Sequence, residues 1–432
     1  MRPRLVLFFL SPRLIDCDSY LPVAMEMKAQ LPDLDIRFVT FSRENYDDVR
    51  SNPTLAAGLA RCGTLAWVGG EGPGGRLRRS LRRIRKFAEL AASLIRRPGA
   101  MLFHGRQYVE RPYRALFWLN RMLGGRGFVL ARIRMVDEGH HPHRLSEFEV
   151  MGSRRLSWLD RLRGRESDGL VHYHDRQEMY LRSLAKFGRT DWPRRAKVGL
   201  PSALPSWRAL IAEAVETERQ ALAAAGRNVD EIYSFFSAKG YSSTHLRTPE
   251  SAQRTFDNVV RSLTTLRPRA TILLRPHPLA LREPWFKAAL EAIGNPNVVL
   301  SYAHPEVMVA LSRRALVNNP TNILFTTPFG RFIDCSDYRP SHYEQVGEAS
   351  LAEGYGVVFV NPARDDFAQR LEWALGEEPW QDVAVFAKRE RLSRDNPPSI
   401  AEVLNWFEAS MPNADPIPSG ISNAASSPGQ RP

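Results

Sequence analysis

Four short segments of this chain of 432 residues carry residue types able to act on a charged substrate. The first is Arg275-Pro276-His277-Pro278, directly after the apolar run Thr271-Ile272-Leu273-Leu274. A guanidinium and an imidazole at a strand end can neutralise a phosphate, and the imidazole can protonate it as it leaves. The two prolines stiffen the turn and hold the imidazole in one direction. A plain turn that happens to hold a histidine has the same letters. The second segment is Asp137-Glu138-Gly139, after an apolar run at residues 128–136. Two acids at a strand end, with a glycine for a sharp turn, can place one carboxylate in a cleft as the base for an acceptor hydroxyl. A surface turn with two solvated acids is the plainer reading of the same residues.

The third segment is Ser237-Ala238-Lys239-Gly240. Its backbone N–H groups and lysine can hold a nucleotide phosphate, though ordinary surface turns share this composition. The fourth is Asn318-Asn319-Pro320-Thr321-Asn322. Thr321 can cap a short helix whose free N–H groups point at a phosphate, or it is simply a cap. His140-His141-Pro142-His143 looks like a metal cluster, but adjacent histidines do not readily converge on one ion and no carboxylate or cysteine spacing supports them. No metal is expected. His104 ends an apolar run and is a candidate to line the acceptor side, as is Glu138. His172 and His174 end another run and suit a domain junction.

These segments need a scaffold that brings strand ends together. The length suits two domains of about 200 residues each. Apolar runs at 5–10, 36–41, 100–104, 128–136 and 169–173 alternate with helical patterns such as 19–31. After a long Ala/Glu-rich helix at 207–225 the alternation restarts. Strands are expected at 231–236, 271–275, 298–301, 315–317 and 357–360, and helices at 250–266, 285–293, 305–312 and 366–375. Continuous apolar strands separated by helices indicate parallel sheets buried on both faces. The expected fold is therefore α/β, two doubly wound Rossmann-type domains facing a central cleft. Their expected limits are 1–200 and 229–411, with a linker and helix at 201–228 and a disordered tail rich in Pro, Ser, Asn and Gly at 412–432.

Cys17, Cys62 and Cys335 are far apart, as in a reduced cytoplasmic protein without zinc. No apolar run is long enough to span a bilayer, and the N-terminal one is too short for a secretion signal. The net charge of +13 suits polyanions, anionic lipid or phosphorylated substrates. Much of it sits at residues 76–97, with nine Arg or Lys and one acid, Glu89. Leu77, Leu81, Ile84, Ala88 and Ala91 fall there at helical spacing. Such a basic amphipathic helix either docks peripherally on an anionic membrane or packs on the first sheet. Phe87 is its only aromatic residue and no nucleic-acid-binding motif surrounds it, so nucleic acid is not the expected partner.

Asp137-Glu138-Gly139 and His277-Pro278 together resemble motifs of the bacterial sialyltransferases and polysialyltransferases. The second half is also similar to capsule Kdo-transferases and CDP-glycerol glycerophosphotransferases. The resemblance implies a GT-B fold and an inverting, metal-independent transfer from a CMP-sugar, with no cofactor beyond that donor. It implies Asp137 as the general base and His277 as the contact to the CMP phosphate. Ser237, Lys239, Gly240, Arg275, Pro278, Asn319 and Thr321 would complete the donor side. The acceptor would be a surface glycan or glycolipid. Where those families carry a Ser-Ser or Ser-Thr pair, this chain reads Asn319-Pro320-Thr321, which bears on which donor fits. A CDP-polyol or UDP-sugar donor, or a non-catalytic role in polysaccharide assembly, would suit the same scaffold.

Overall fold

The computed structural model describes residues 5–10, 15–69, 76–104, 113–130, 169–173, 195–237, 248–277, 284–318, 329–350 and 352–409. The first half runs β1 (Leu5–Leu10), α1 (Ile15–Gln30), β2 (Asp35–Thr40), α2 (Arg43–Ser51), α3 (Pro53–Cys62), β3 (Thr64–Trp67) and α4 (Arg76–Arg96). It continues with β4 (Ala100–His104), α5 (Tyr113–Met122), β5 (Arg126–Leu130), β6 (Gly169–His172) and β7 (Arg195–Lys197). All seven strands are parallel, in the order β3-β2-β1-β4-β5-β6-β7. Every residue of β1 is buried, because helices cover both faces of the sheet.

A long helix, α6 (Pro205–Ala224), leads into the second half. There follow β8 (Ile232–Ser237), α7 (Pro249–Leu266), β9 (Thr271–Pro276), α8 (Pro284–Ile293), β10 (Val298–Leu300), α9 (Pro305–Leu311) and β11 (Arg314–Val317). The rest is β12 (Phe332–Asp334), α10 (Pro340–Val346), β13 (Val357–Phe359), α11 (Phe367–Leu375), α12 (Ala387–Asp395) and α13 (Ala401–Ala409). This sheet is also wholly parallel, in the order β10-β9-β8-β11-β12-β13. Its strands alternate between two apolar clusters. Tyr233, Phe235, Ile272 and Leu274 face one, and Ile232, Leu273, Ala315 and Val317 face the other.

The second of these clusters also contains Val6, Phe8 and Leu102 of the first sheet. The two halves thus share apolar packing, and α6 is its hinge-pin: it packs on α1 and α3 of the first half and on α9 of the second. Trp207, Leu210 and Ile211 of α6 are buried in it.

The chain then returns. The end of the stretch assigned from sequence to the second domain, α13, lies on the first sheet. Phe128 of β5 stacks on Trp406 at 5.6 Å and meets Phe407 edge-on at 5.4 Å. The backbone N–H groups of Ser399 and Lys197 donate to Val198 O (3.1 Å) and to the Glu402 carboxylate (3.2 Å). Gly199 makes this approach possible. Its φ is +69°, and a Cβ there would lie 2.6 Å from Asn396 O.

Several elements have no counterpart in the sequence reading: β3, β7, β12, α2, α3, α5, α10, α12 and α13. Helices α2 and α3 show why. Asn52 ends the first and caps the second through its side chain to Leu55 N (3.1 Å), with Pro53 opening α3. One residue between two helices blurs the period of both.

Candidate functional site

In each sheet the strand order reverses once, between β1 and β4 and between β8 and β11. Ligands of open parallel sheets sit beyond the carboxyl ends of the strands at such a reversal. His104 ends β4 at the first reversal, and Ser237 ends β8 at the second. The turns on either side of Ser237 are pinned to β8. The His277 N–H donates to Ser237 O at 3.1 Å, and the Asn318 N–H donates to Phe236 O at 3.0 Å. Ser237 and Asn318 are buried, whereas His277 is exposed at the end of β9. The period of two along β9 puts residues 273, 275 and 277 on one face. Leu273 faces the cluster shared with the first half, so that face looks toward the other sheet.

Three hydrogen-bonded groups tie the first half to the β10–α9 turn and to the start of α6. His304, which caps α9, accepts the Glu306 N–H at Nδ1 (3.3 Å). Its ring proton therefore sits on Nε2, which donates to Asp18 Oδ1 of α1 at 3.0 Å. Asn52 Nδ2 donates to Tyr302 O at 3.3 Å. Glu26 of α1 accepts the Ser206 N–H at 3.0 Å. Arg275 joins this junction: its Nη1 donates to Ala303 O. Burial holds the Arg275 guanidinium below its ordinary value, and the Asp18 carboxylate acts in the opposite direction. Behind His304, Trp207 Nε1 donates to Glu306 Oε2 at 2.8 Å. Burial pushes the Glu306 carboxyl well above its ordinary value, and among the described residues Glu306 Oε1 finds no hydrogen-bond partner.

A further polar group stands at the carboxyl end of β12, a strand that the sequence pattern does not predict. Asp334 is wholly buried and accepts from Ser336 N (3.0 Å), Ser336 Oγ, Tyr338 OH (2.7 Å) and Ser350 Oγ (2.5 Å). Burial raises its carboxyl above the ordinary value, and these donors pull it back. Next to it, Asp337 accepts from Ser251 Oγ in the first turn of α7 and pairs with Arg254 at 3.3 Å. The signal was present as Phe332-Ile333-Asp334-Cys335-Ser336-Asp337. Its apolar run is only Phe332-Ile333 before an acid, too short to read as a strand.

Of the residues singled out from sequence, Ser237, Arg275 and His277 come together at this edge. His104 ends the first sheet's reversal strand, and His172 is buried at the end of β6. Asp137, Glu138, Gly139, Lys239, Gly240, Pro278, Asn319 and Thr321 lie outside the described residues, as do His140, His141, His143 and His174. Among the described residues no group of His, Cys, Asp or Glu is placed to hold a metal ion.

No protein family's sequence profile matches this chain, and no curated protein matches it in sequence. Solved structures do match in shape. An anthocyanidin 3-O-glucosyltransferase bound to UDP superposes with a TM-score of 0.53 at 10% identity, over 95% of this chain and 98% of its own. MnaA of S. aureus, also with UDP, gives 0.51 at 11%, over 95% and 96%. The kitacinnamycin glycotransferase gives 0.50 at 12%, over 95% and 100%. Near-complete coverage of both chains, with both sheets in one superposition, establishes the GT-B arrangement of two Rossmann-type units facing a cleft.

Proposed function

We propose that this protein is a glycosyltransferase that uses a nucleotide-activated sugar. The observation that carries the reading is His277. It stands exposed at the carboxyl end of β9, with its backbone bonded to Ser237 beside the strand reversal where a nucleotide phosphate would lie. In the proposed reaction the nucleotide phosphate leaves toward His277, with Arg275, Lys239 and Thr321 adding charge and donors and Ser237, Gly240, Pro278 and Asn319 shaping the turn. Fixed donors aimed at developing charge are commonly the largest catalytic contribution. Asp137 removes the acceptor proton, with Glu138 and His104 on the acceptor side. The configuration at the transferred carbon inverts, because one displacement occurs and no covalent sugar–enzyme intermediate forms.

The motif pair Asp137-Glu138-Gly139 and His277-Pro278 supports a CMP-activated nonulosonic acid, such as sialic acid or Kdo, as donor and a surface glycan or glycolipid as acceptor. A UDP-sugar is the second reading, because the glucosyltransferase and MnaA superposed above are both UDP complexes. Melting curves separate the two, since a ligand that binds only the folded state raises the melting temperature. CMP and CDP should raise it and UDP and GDP should not. A rise with UDP alone transfers the assignment to a UDP-sugar, and no rise with any of the four removes the donor site from the His277 turn.

A further inference from the structure

The basic helix α4 carries two separate apolar stripes, and among the described residues only one of them packs into the core. Phe87, Leu90 and Leu94, three and four residues apart, face the first sheet: Leu90 and Leu94 are buried with Met101 and Phe103, and Phe87 packs against them. Leu77, Leu81, Ile84, Ala88 and Ile95 recur along a different face. That face points to solvent. Leu77 is 74% exposed, Leu81 56%, Ile84 64% and Ile95 58%. The neighbouring helix α5 adds Trp118 and Met122, one turn apart and 61% and 65% exposed, with Arg121 between them. Six of the eleven large apolar side chains exposed among the described residues therefore lie on two adjacent helices.

We infer that the exposed stripe of α4, together with Trp118 and Met122 of α5, docks the protein on an anionic lipid bilayer. Charge selects this occupant. Nine Arg or Lys residues and a single acid fall within residues 76–97, and Arg78, Arg82, Arg83 and Arg85 flank the stripe. Beside α4, Arg43 and Arg50 of α2 surround, with Tyr46, Trp67 and Lys86, a cavity of about 530 Å³, which extends the positive field. A second copy of the chain would bring the same positive charges face to face, which opposes dimerisation there. Anionic head groups instead supply the counter-charge, while Leu77, Leu81 and Ile84 enter the boundary of the acyl chains. Among the described residues no helix is long and apolar enough to cross a membrane, so the attachment is peripheral.

The test is co-sedimentation of the full chain with vesicles of phosphatidylcholine alone and of phosphatidylcholine with phosphatidylglycerol. Binding is expected only with phosphatidylglycerol and should weaken as salt rises. Replacing Leu77, Leu81 and Ile84 together by serine should weaken it about a hundredfold. The melting temperature should not change, since these side chains are exposed. Changing Arg78, Arg82 and Arg83 to glutamine should cost about fivefold for each charge removed. Failure of the unaltered chain to bind anionic vesicles overturns the inference. So does undiminished binding by the triple-serine variant, or a dimer in sedimentation equilibrium that this variant abolishes. Vesicle binding is read without a donor or acceptor, so its outcome is independent of the transferase assignment.

Discussion

Asp334 and Glu306 are both shut away from solvent, and they are held in opposite ways. Asp334, at the carboxyl edge of the second sheet, receives four hydrogen bonds from three side chains and one backbone N–H. Glu306, at the junction of the halves, receives one side-chain bond, from Trp207, and keeps Oε1 without a partner among the described residues. Equal burial thus has unequal consequences. At the strand edge the acid organises the turn that follows β12 and leaves no demand unmet. At the junction the acid's Oε2 holds the Trp207 indole while Oε1 lacks a partner among the described residues, a cost only partly offset. The edge is a preorganised platform, and the junction is where stability is held back.

The largest effect expected from the platform is catalytic. His277→Ala should lower turnover by about 100-fold to 10,000-fold, the range of a lost proton-transfer or phosphate-contacting group, while the melting temperature stays put. A variant that turns over like the unaltered protein removes His277 from the reaction. Next comes Asp334→Ala, which strands the hydroxyls of Ser336, Tyr338 and Ser350. It should cost about 3 kcal/mol in denaturant unfolding, and a loss under about 1 kcal/mol would mean that the network does not hold the edge. Gly199→Ala should cost about 2 kcal/mol, because the backbone is left-handed there and the added carbon meets Asn396 O. An unchanged midpoint would show that the return of α13 to the first sheet tolerates a shift.

The smallest effect distinguishes the two acids. Glu306 has its carboxyl raised by burial, so its contribution to stability is full below the ordinary glutamate range and is lost as pH rises through the folded-state value. Glu306→Gln keeps a Trp207 acceptor without the charge. It should therefore be neutral in acid and more stable by about 1 kcal/mol near neutral pH. Melting curves across that range check it, and a variant less stable at every pH would show that the charge is compensated after all.

Much of the scaffold was legible because the strands are apolar on both faces. Runs such as Leu5–Leu10 leave no alternative to a sheet covered by helices. The position of His277 after such a run was enough to put it at a carboxyl edge. Of the three-residue strands, β10 and β13 show as unbroken apolar runs, whereas β7 (Arg195-Ala196-Lys197) and β12 (Phe332-Ile333-Asp334) carry charged residues and do not. Nor does the ordinary amphipathic pattern of α13 say which sheet it covers. Of the site, the spacing places Ser237, Arg275 and His277 at one sheet edge, but not the bond from Arg275 Nη1 to Ala303 O, which depends on a loop distant in the chain.

The spacing of Leu77, Leu81, Ile84 and Ala88 is written in the sequence, and so is the charge around it. The sequence by itself determined that α4 is amphipathic and basic, that the sheets are parallel, and that a His-Pro turn closes one strand. Periodicity is local and survives without knowledge of the neighbours. Only the tertiary structure decided which stripe of α4 meets the core, which carboxylate is satisfied, and which sheet receives the last helix. Each of these depends on a partner distant in the chain, and a residue's own spacing carries no information about that partner.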